Sequence, residues 1–292
     1  MRKVLLTGGC GFIGSNLAPL LLGAGAEVRV VDSLVLGRRE YLAGLDVDLR
    51  EGDLRDPGVA AAAVKGVDSV IHLAAFGSVV DSVADPATNF EMNPGVTLTL
   101  LRAAVDAGVR QFVFSSTGGA LIGDATPPVD ETSLPKPISP YGAGKLACEG
   151  YLNAFAHSYG LVTKIMRFAN VYGPNSGHKK GAVTAFLKAV DAGEPIVIYG
   201  DGSATRDFLY VDDLCAGILA VTGADLEPAT VLHLASGRET SILELARLVA
   251  AAGGRPDHPV ELRAARKGEV QRNFATYDLA RERIGFSPRV SP

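Results

Sequence analysis

The sequence predicts an α/β protein built on a doubly wound parallel sheet. Short apolar runs recur along about the first 170 residues, and amphipathic helical patterns separate them. A glycine-rich turn follows the first apolar run. Continuous apolar runs are typical of buried parallel strands, and their alternation with helices is typical of doubly wound folds.

Each predicted element has its own place in this alternation. The predicted strands span residues 3–7, 28–31, 47–51, 69–73, 111–115 and 162–167. The predicted helices span residues 12–22, 58–64, 89–107 and 141–159. The order predicts a sheet with helices on both of its faces.

The pattern changes after residue 172, where loop sequences such as GPNSGHKKG become frequent. We therefore predict a nucleotide-binding domain at 1–172 and a smaller, mainly substrate-binding region at 173–292. A further helix is predicted at 182–192. Residues 231–234 again resemble a core strand, so the chain is expected to return to the first domain near 205–237.

The overall composition excludes several classes of protein. A net charge of -4 argues against binding nucleic acid or a membrane surface through bulk electrostatics. The three cysteines have neither zinc nor disulfide spacing, which predicts no metal site and a reducing cytoplasm. The sequence shows no secretion signal and no run of about 18 apolar residues, so no membrane association is expected.

The glycine turn predicts a dinucleotide site. Gly8, Gly11 and Gly14 stand at three-residue intervals in TGGCGFIG, directly after the first predicted strand. Glycines permit a tight turn, let backbone approach a pyrophosphate and let the helix pack on the strand. The helix start, with Phe12 and Ile13, would offer backbone N–H groups to the phosphates. Such a turn indicates a Rossmann-type domain, although glycine turns also occur without a ligand.

Asp32 ends the second predicted strand, eighteen residues after Gly14. A carboxylate there can accept hydrogen bonds from the adenosine ribose hydroxyls and would repel a 2′-phosphate. NAD is therefore predicted as the cofactor in preference to NADP. Two observations leave alternatives open: Arg38 and Arg39 lie nearby as possible phosphate partners, and Asp32 could instead be a strand-end cap.

More cofactor contacts are expected where the third and fourth strands end. The predicted residues are Asp53, Leu54, Leu73, Ala74 and Ala75. Small residues allow close approach of a cofactor to the sheet edge. The alternative for Asp53 is capping of the next helix, and His72 is expected to be a packed strand residue rather than a catalyst.

A candidate catalytic group lies at the same edge of the predicted sheet. Tyr141 and Lys145 follow Pro140 at a spacing of four, so they share one helix face. A lysine cation and the positive helix end are expected to lower the tyrosine pKa from its usual value of about 10. Thr117 ends the fifth strand and can hydrogen-bond a substrate hydroxyl. The alternative is a chance Tyr and Lys pair on a solvated helix.

At these residues the sequence resembles the extended short-chain dehydrogenase/reductase family, especially its nucleotide-sugar 4-epimerases of the UDP-glucose 4-epimerase type. The resemblance spans nearly the whole chain. It rests on TGGCGFIG, GDLRD, HLAA, the SST run, YGAGK, RFANVYGP, IYGDGSATRDFLYVDD and KGEV, which occur in the family's order.

The resemblance implies a role for each matching residue. Tyr141 would act as base and acid, Lys145 would bridge the cofactor ribose and the tyrosine, and Thr117 would contact the sugar hydroxyl. The residues implied in substrate binding are Thr117, Asn170, Arg206, Arg266 and Glu269. For the two arginines the alternative is surface ion pairing. The implied ligands are NAD and a UDP-sugar.

The loop after Thr117 separates the reactions of this family. A related 4,6-dehydratase is expected to carry Asp-Glu there and a related decarboxylase glutamate, whereas this chain has Gly118 and Gly119. The resemblance thus implies epimerisation at C4 through a transient 4-keto sugar. Three alternatives remain: a UDP-glucuronate 4-epimerase using Lys179, Lys180 or Arg167, another nucleotide-sugar oxidoreductase or decarboxylase, and a non-catalytic dinucleotide sensor.

The resemblance also implies a homodimer in which helices 89–107 and 141–159 pair across the interface. The apolar residues considered for that interface are Leu98, Leu101, Val105, Leu152 and Phe155. The alternative is that they face the sheet of their own subunit.

Overall fold

Strands and helices alternate along the chain in the computed structural model, which describes residues 3–265 and 270–291. The strands within these ranges are β1 (Lys3–Thr7), β2 (Glu27–Asp32), β3 (Val47–Glu51), β4 (Ser69–His72), β5 (Gln111–Thr117), β6 (Val162–Phe168), β7 (Asn170–Tyr172), β8 (Ile196–Tyr199), β9 (Thr205–Arg206), β10 (Phe208–Tyr210), β11 (Thr230–Leu234), β12 (Thr240–Ser241), β13 (Val260–Arg263) and β14 (Arg272–Asn273). The helices are α1 (Phe12–Gly23), α2 (Pro57–Val64), α3 (Val79–Ala84), α4 (Pro86–Phe90), α5 (Val96–Asp106), α6 (Gly119–Ile122), α7 (Pro140–Tyr159), α8 (Ala182–Ala192), α9 (Val211–Gly223), α10 (Ile242–Ala252) and α11 (Asp278–Ile284).

Seven strands of the described chain form one parallel sheet in the order β11-β6-β5-β4-β1-β2-β3. The order reverses at β1, which has β2 on one side and β4 on the other. In doubly wound sheets the carboxyl ends of the strands at such a reversal form the ligand-binding crevice. The predicted fold class, a Rossmann-type α/β sheet, is therefore confirmed.

Apolar side chains from successive strand residues cover both faces of this sheet. In β1, Leu6 packs in the core on one side and Leu5 in the core on the other. Helices α1 and α9 cover the first face, with Leu17 and Leu214 fully buried, while α2, α5 and α7 cover the second. Since strand residues alternate between faces, this double burial explains the continuous apolar runs in the sequence.

The helix predicted at 89–107 differs from the observed structure. The helical segment already begins with α4, where the side chain of Asp85 accepts the Thr88 N–H at 3.0 Å. A π-helical turn, Glu91–Gly95, then connects α4 to α5. It contains Pro94, which has no N–H to donate and so interrupts the regular ladder of helical hydrogen bonds.

The second half of the chain forms smaller units beside the sheet. Strand β8 pairs with β13, β9 lies between β12 and β14, and β7 pairs with β10. The strand predicted at 231–234 is present as β11, which pairs with β6 at the edge of the central sheet. The domain boundary at residue 172 remains a prediction.

Long apolar helices do not occur among the described residues: none could cross a membrane.

Candidate active site

The glycine turn between β1 and α1 brings two strand ends into close contact. Gly8 has a φ of +69°, and a Cβ there would lie 2.8 Å from the backbone nitrogen of Ala74, just after β4. A Cβ on Gly14 would lie 2.3 Å from the Gly8 carbonyl oxygen. The conformation and the packing both require glycine, so backbone alone lines this part of the crevice.

The start of α1 provides unpaired backbone donors at the same edge. Gly11 is the N-cap residue, and it has no side chain that could accept a capping hydrogen bond. Phe12 and Ile13 are the first residues of the helix. Because the first N–H groups of a helix attract anions, this arrangement fits the diphosphate of a dinucleotide.

Asp32 lies at the end of β2 and is 8% exposed. One carboxylate oxygen accepts the Cys10 N–H and the other accepts the Leu34 N–H, each at 2.9 Å. A Cβ on Gly37 would lie 2.8 Å from the carboxylate, so the glycine leaves space beside it. Each carboxylate oxygen has two lone pairs and can still accept a ribose hydroxyl.

The remaining predicted cofactor residues lie at the neighbouring strand ends. Asp53 does not cap α2, because the Gly58 N–H is accepted by Asp56 at 2.7 Å. Asp53 instead pairs with Arg55 at 2.6 Å. Around these, Leu54 is buried, and Leu73, Ala74 and Ala75 are partly buried after β4.

Three hydroxyl residues end β5, and they have different partners. Ser115 Oγ donates to the His72 carbonyl at 2.9 Å, and Ser116 Oγ donates to Glu149 Oε1 at 2.5 Å. Thr117 is partly buried, and its hydroxyl makes no hydrogen bond within residues 3–265 and 270–291. His72 is fully packed, with Nδ1 2.7 Å from Thr7 Oγ1, as expected for a structural histidine. Thr117 is therefore the hydroxyl of this run that is available to a ligand.

Helix α7 carries Tyr141 and Lys145 towards the end of β5. Ser139 caps the helix by accepting the Gly142 N–H, and Pro140 occupies its first position. Lys145 is 2% exposed, and its Nζ donates to the Ser115 carbonyl at 2.7 Å. The same Nζ lies 5.9 Å from the centre of the Tyr141 ring. The two side chains thus share one helix face beside the strand that ends in Thr117.

The surroundings of Tyr141 affect its pKa in the direction opposite to the expectation. Burial raises the pKa of the Tyr141 phenol to about 12 instead of lowering it. Burial also lowers the pKa of the Lys145 ammonium to about 8. Desolvation disfavours the charged form of both groups, and it is the largest cause of each shift.

The substrate residues implied by the resemblance lie near the junction of β7, β9 and β10. Asn170 donates to the Asp207 carbonyl through both its backbone N–H, at 2.9 Å, and its side-chain amide, at 3.1 Å. Arg206 is partly buried, and Nη1 donates to the Thr205 carbonyl at 2.7 Å. The predictions for Arg266 and Glu269 fall outside the described residues.

The sequence interpretation missed Asp207, a buried carboxylate between Arg206 and β10. Its side chain accepts the backbone N–H and the hydroxyl of Ser236, at 2.9 and 2.7 Å, and the Gly237 N–H at 3.1 Å. Burial raises the pKa of Asp207. Through these contacts it connects the segment that carries Arg206 to the loop after β11.

The cations considered for a uronate substrate are placed differently from one another. Arg167 is buried and bound to Glu149, with Nη2 2.8 Å from Oε2. Lys180 pairs with Asp81 at 3.0 Å. Lys179 Nζ lies 5.7 Å from the centre of the Phe12 ring, at the start of α1.

Three of the five apolar residues considered for a dimer interface are buried in the chain's own core. Leu101 and Leu152 have no exposed surface, and Phe155 is 5% exposed. Leu98 and Val105 are partly buried against the same core. The α5 and α7 residues named for the interface therefore pack mainly on their own sheet.

Comparison with known proteins gives consistent matches over the chain. The model of the NAD dependent epimerase/dehydratase family matches residues 4–235. A UDP-glucose 4-epimerase of Mycolicibacterium smegmatis is 38% identical over 99% of this chain and 94% of its own. A crystal structure of UDP-glucose 4-epimerase from Thermotoga maritima with UDP-glucose matches with a TM-score of 0.93 and 37% identity, covering 99% of this chain and 94% of that one. A Thermus thermophilus UDP-glucose 4-epimerase in complex with NAD matches with a TM-score of 0.92 and 36% identity, covering 100% of this chain and 95% of that one.

Proposed function

The chain belongs to the NAD-dependent epimerase/dehydratase family, and we propose that within it the protein interconverts the C4 epimers of a UDP-sugar with NAD as cofactor. UDP-glucose and UDP-galactose are the proposed pair. The observation that carries the proposal is the arrangement of Thr117, Tyr141 and Lys145 at the carboxyl end of β5, beside the strand reversal at β1 and β4.

Each of these residues has a task that its surroundings support. Tyr141 takes the proton of the C4 hydroxyl and later returns it, as a general base and acid. Thr117 hydrogen-bonds the sugar hydroxyl, since its own hydroxyl makes no hydrogen bond to a described residue. Lys145, oriented by the Ser115 carbonyl, holds the cofactor ribose and adds positive charge near the phenol.

NAD would be held by the glycine turn, by Phe12 and Ile13 at the start of α1, by Asp32, and by the strand ends at Asp53, Leu54, Leu73, Ala74 and Ala75. Bound NAD supplies the hydride acceptor and a positive nicotinamide ring. A neighbouring cation favours the charged form of a phenol, which opposes the effect of burial on Tyr141. On the substrate side, Asn170, Arg206, Arg266 and Glu269 are proposed to hold the nucleotide diphosphate and its sugar.

The Gly118 and Gly119 loop supports epimerisation over elimination or decarboxylation. It offers no carboxylate beside Thr117. A Cβ on Gly119 would lie 2.6 Å from the side-chain nitrogen of Asn273, so a larger residue there would require the Asn273 side chain to move. Two of the three cations considered for the uronate alternative, Arg167 and Lys180, already pair with carboxylates, which leaves Lys179 as its candidate.

The proposal is tested with UDP-glucose carrying deuterium at C4, with product followed by NMR in the presence of unlabelled NADH. An epimerase returns the label to C4 of UDP-galactose without loss to the added NADH. A stable 4-keto product with stoichiometric NADH would show a net oxidoreductase instead. Parallel incubations with UDP-N-acetylglucosamine and UDP-glucuronate identify the preferred sugar, and release of carbon dioxide from the latter would show a decarboxylase.

The assembly and location of the enzyme are further parts of the proposal. We propose a cytoplasmic homodimer that pairs through α7 and the helical segment from α4 to α5. On α7 the exposed residues include Ala143, Gly150, Tyr151 and Ala154, of which Ala143, Gly150 and Ala154 lie along one side at spacings of seven and four residues. The three cysteines are unpaired and buried, which is consistent with a reducing compartment. The division into a nucleotide-binding domain at 1–172 and a substrate region at 173–292 is also a proposal.

A further inference from the structure

Helix α7 presents a third polar side chain on the face that carries Tyr141 and Lys145. Glu149 follows Lys145 by four residues, as Lys145 follows Tyr141, and all three face β5 or the groups beside it. Lys145 binds the carbonyl of Ser115, and Glu149 accepts the hydroxyl of Ser116 at 2.5 Å. The helix is thus attached to two successive residues of β5, immediately before Thr117.

The same carboxylate connects the helix to β6. Arg167 donates from Nε to Glu149 Oε1 at 3.1 Å and from Nη2 to Oε2 at 2.8 Å. The side chains of Arg167 and Glu149 are only 5% and 8% exposed. Arg167 is the cross-strand neighbour of Ser116, so one pair of charges joins α7 to the carboxyl ends of two adjacent strands.

A bidentate, buried ion pair has strict geometry, and removing one partner leaves an uncompensated charge in the protein interior. That charge would act on Lys145, one helical turn away. The titratable and charged groups around Lys145 are Tyr141, Cys148 and Glu149 on α7, His72 on β4, and Arg167 on β6 beyond Glu149.

We propose that Glu149 and Arg167 are positioning residues for the reaction: they fix the catalytic helix against the ends of β5 and β6 and balance the buried charge beside Lys145. Neither side chain contacts the proposed reacting groups other than through Ser116 and α7. Burial lowers the pKa of Lys145 to about 8, and the Glu149 carboxylate acts in the opposite direction, keeping the ammonium charged. The role of the Lys145 charge in catalysis rests on the proposed function.

The two single substitutions give a readout, the Lys145 pKa, that a purely structural role would not shift in opposite directions. In Glu149→Gln the remaining Arg167 cation is expected to lower the Lys145 pKa, and in Arg167→Gln the remaining carboxylate is expected to raise it, each by about one unit. The titration is followed by NMR in protein labelled with ¹³C at lysine Cε, with Lys145→Arg to assign the signal. The alkaline limb of the kcat profile should move in the same two directions.

Arg29→Gln is the matched control, because Arg29 is also a buried cation, 7% exposed and paired with Asp48 at 2.8 Å, but lies on β2 away from α7. It should leave the Lys145 titration and the pH profile unchanged. Shifts in one direction for both Glu149→Gln and Arg167→Gln, or no shift in variants that circular dichroism shows to be folded, would overturn the proposal.

The double variant Glu149→Gln with Arg167→Gln tests the positioning role if a single variant does not fold. It removes both partners and therefore leaves no unpaired charge buried at this site. We expect its Lys145 pKa to lie between those of the two single variants. Its kcat should fall at least about tenfold because the helix loses its bidentate attachment, and its KM should stay within a few-fold. Wild-type kcat in this variant would refute the positioning role. If the wild-type protein lacked epimerase activity, the proposed function would fail, while the opposite shifts of Lys145 would still test the charge balance.

Discussion

Replacing Tyr141 with phenylalanine removes one oxygen atom from the proposed acid and base. Within residues 3–265 and 270–291, the phenol makes no hydrogen bond through its oxygen, while its backbone N–H donates to Ser82 Oγ at 3.2 Å. The substitution leaves that backbone contact intact and leaves no described hydrogen-bonding group without its partner. The fold and the bound NAD should therefore be retained.

The loss of activity can be estimated from the chemistry of the site. General acid and base catalysis contributes about 100-fold to 10,000-fold, which corresponds to about 3–5 kcal/mol of transition-state stabilisation. Phenylalanine cannot exchange a proton, and the described structure places no second tyrosine on the Lys145 face of α7 near β5. We expect kcat to fall by at least about 100-fold with KM changed little.

The assay is conversion of UDP-galactose followed by NMR, with retained NAD measured after denaturation of the purified protein. Tyr159→Phe is the matched control, because Tyr159 ends the same helix and is 57% exposed. It should have wild-type activity. A Tyr141→Phe enzyme that is folded, contains NAD and works within a few-fold of wild type would refute the assignment of Tyr141.

Three other outcomes are expected. NAD should bind at least about tenfold more tightly than NADP because of Asp32, and calorimetric titration measures this preference. Asp32→Ser should weaken it. Equal affinities in the wild-type protein would point to Arg38 or Arg39 as partners of the 2′-phosphate. Burial lowers the pKa of His72 and His233 from 6.5 to about 3. Between these pH values the unfolded chain binds more protons than the folded chain. The contribution of the neutral histidines to the free energy of unfolding is therefore complete above about pH 6.5 and is lost as the pH falls towards 3. Accordingly, His233→Gln should show a smaller decrease in Tm between pH 7 and pH 5 than wild type, with exposed His157→Gln unchanged from wild type; equal decreases would contradict this. Light scattering at micromolar concentration should give twice the chain mass of 30.4 kDa, and a species of single-chain mass alone would argue against the homodimer.

The fold was predictable because its signals are local. A strand buried on both faces needs an apolar run, and the turn at Gly8 needs glycine at particular positions, so both requirements appear directly in the sequence. The π-helical turn was not predicted, because apolar periodicity continues through Pro94 and gives no sign of how the chain accommodates the missing N–H.

The candidate site was only partly predictable, because its electrostatics depend on residues that are distant in sequence. Spacing alone brought Tyr141 and Lys145 to one helix face, but the depth of burial that raises one pKa and lowers the other depends on tertiary packing. The position of Glu149 on the same helix face was predictable from its spacing of four residues from Lys145. Its partner Arg167 is eighteen residues further on in another element, and only the folded sheet brings the two charges together.

Strand β11 gives the central sheet a particular order of completion during synthesis. It pairs with β6 along residues 230–234, after the chain has passed through α8, β8 and α9. A nascent chain therefore cannot close this side of the sheet until residue 234 has left the ribosome, and until then the backbone edge of β6 remains open. Open strand edges can pair with other chains, so misassembly through the β6 edge is expected to be confined to the interval between the synthesis of residue 168 and that of residue 234.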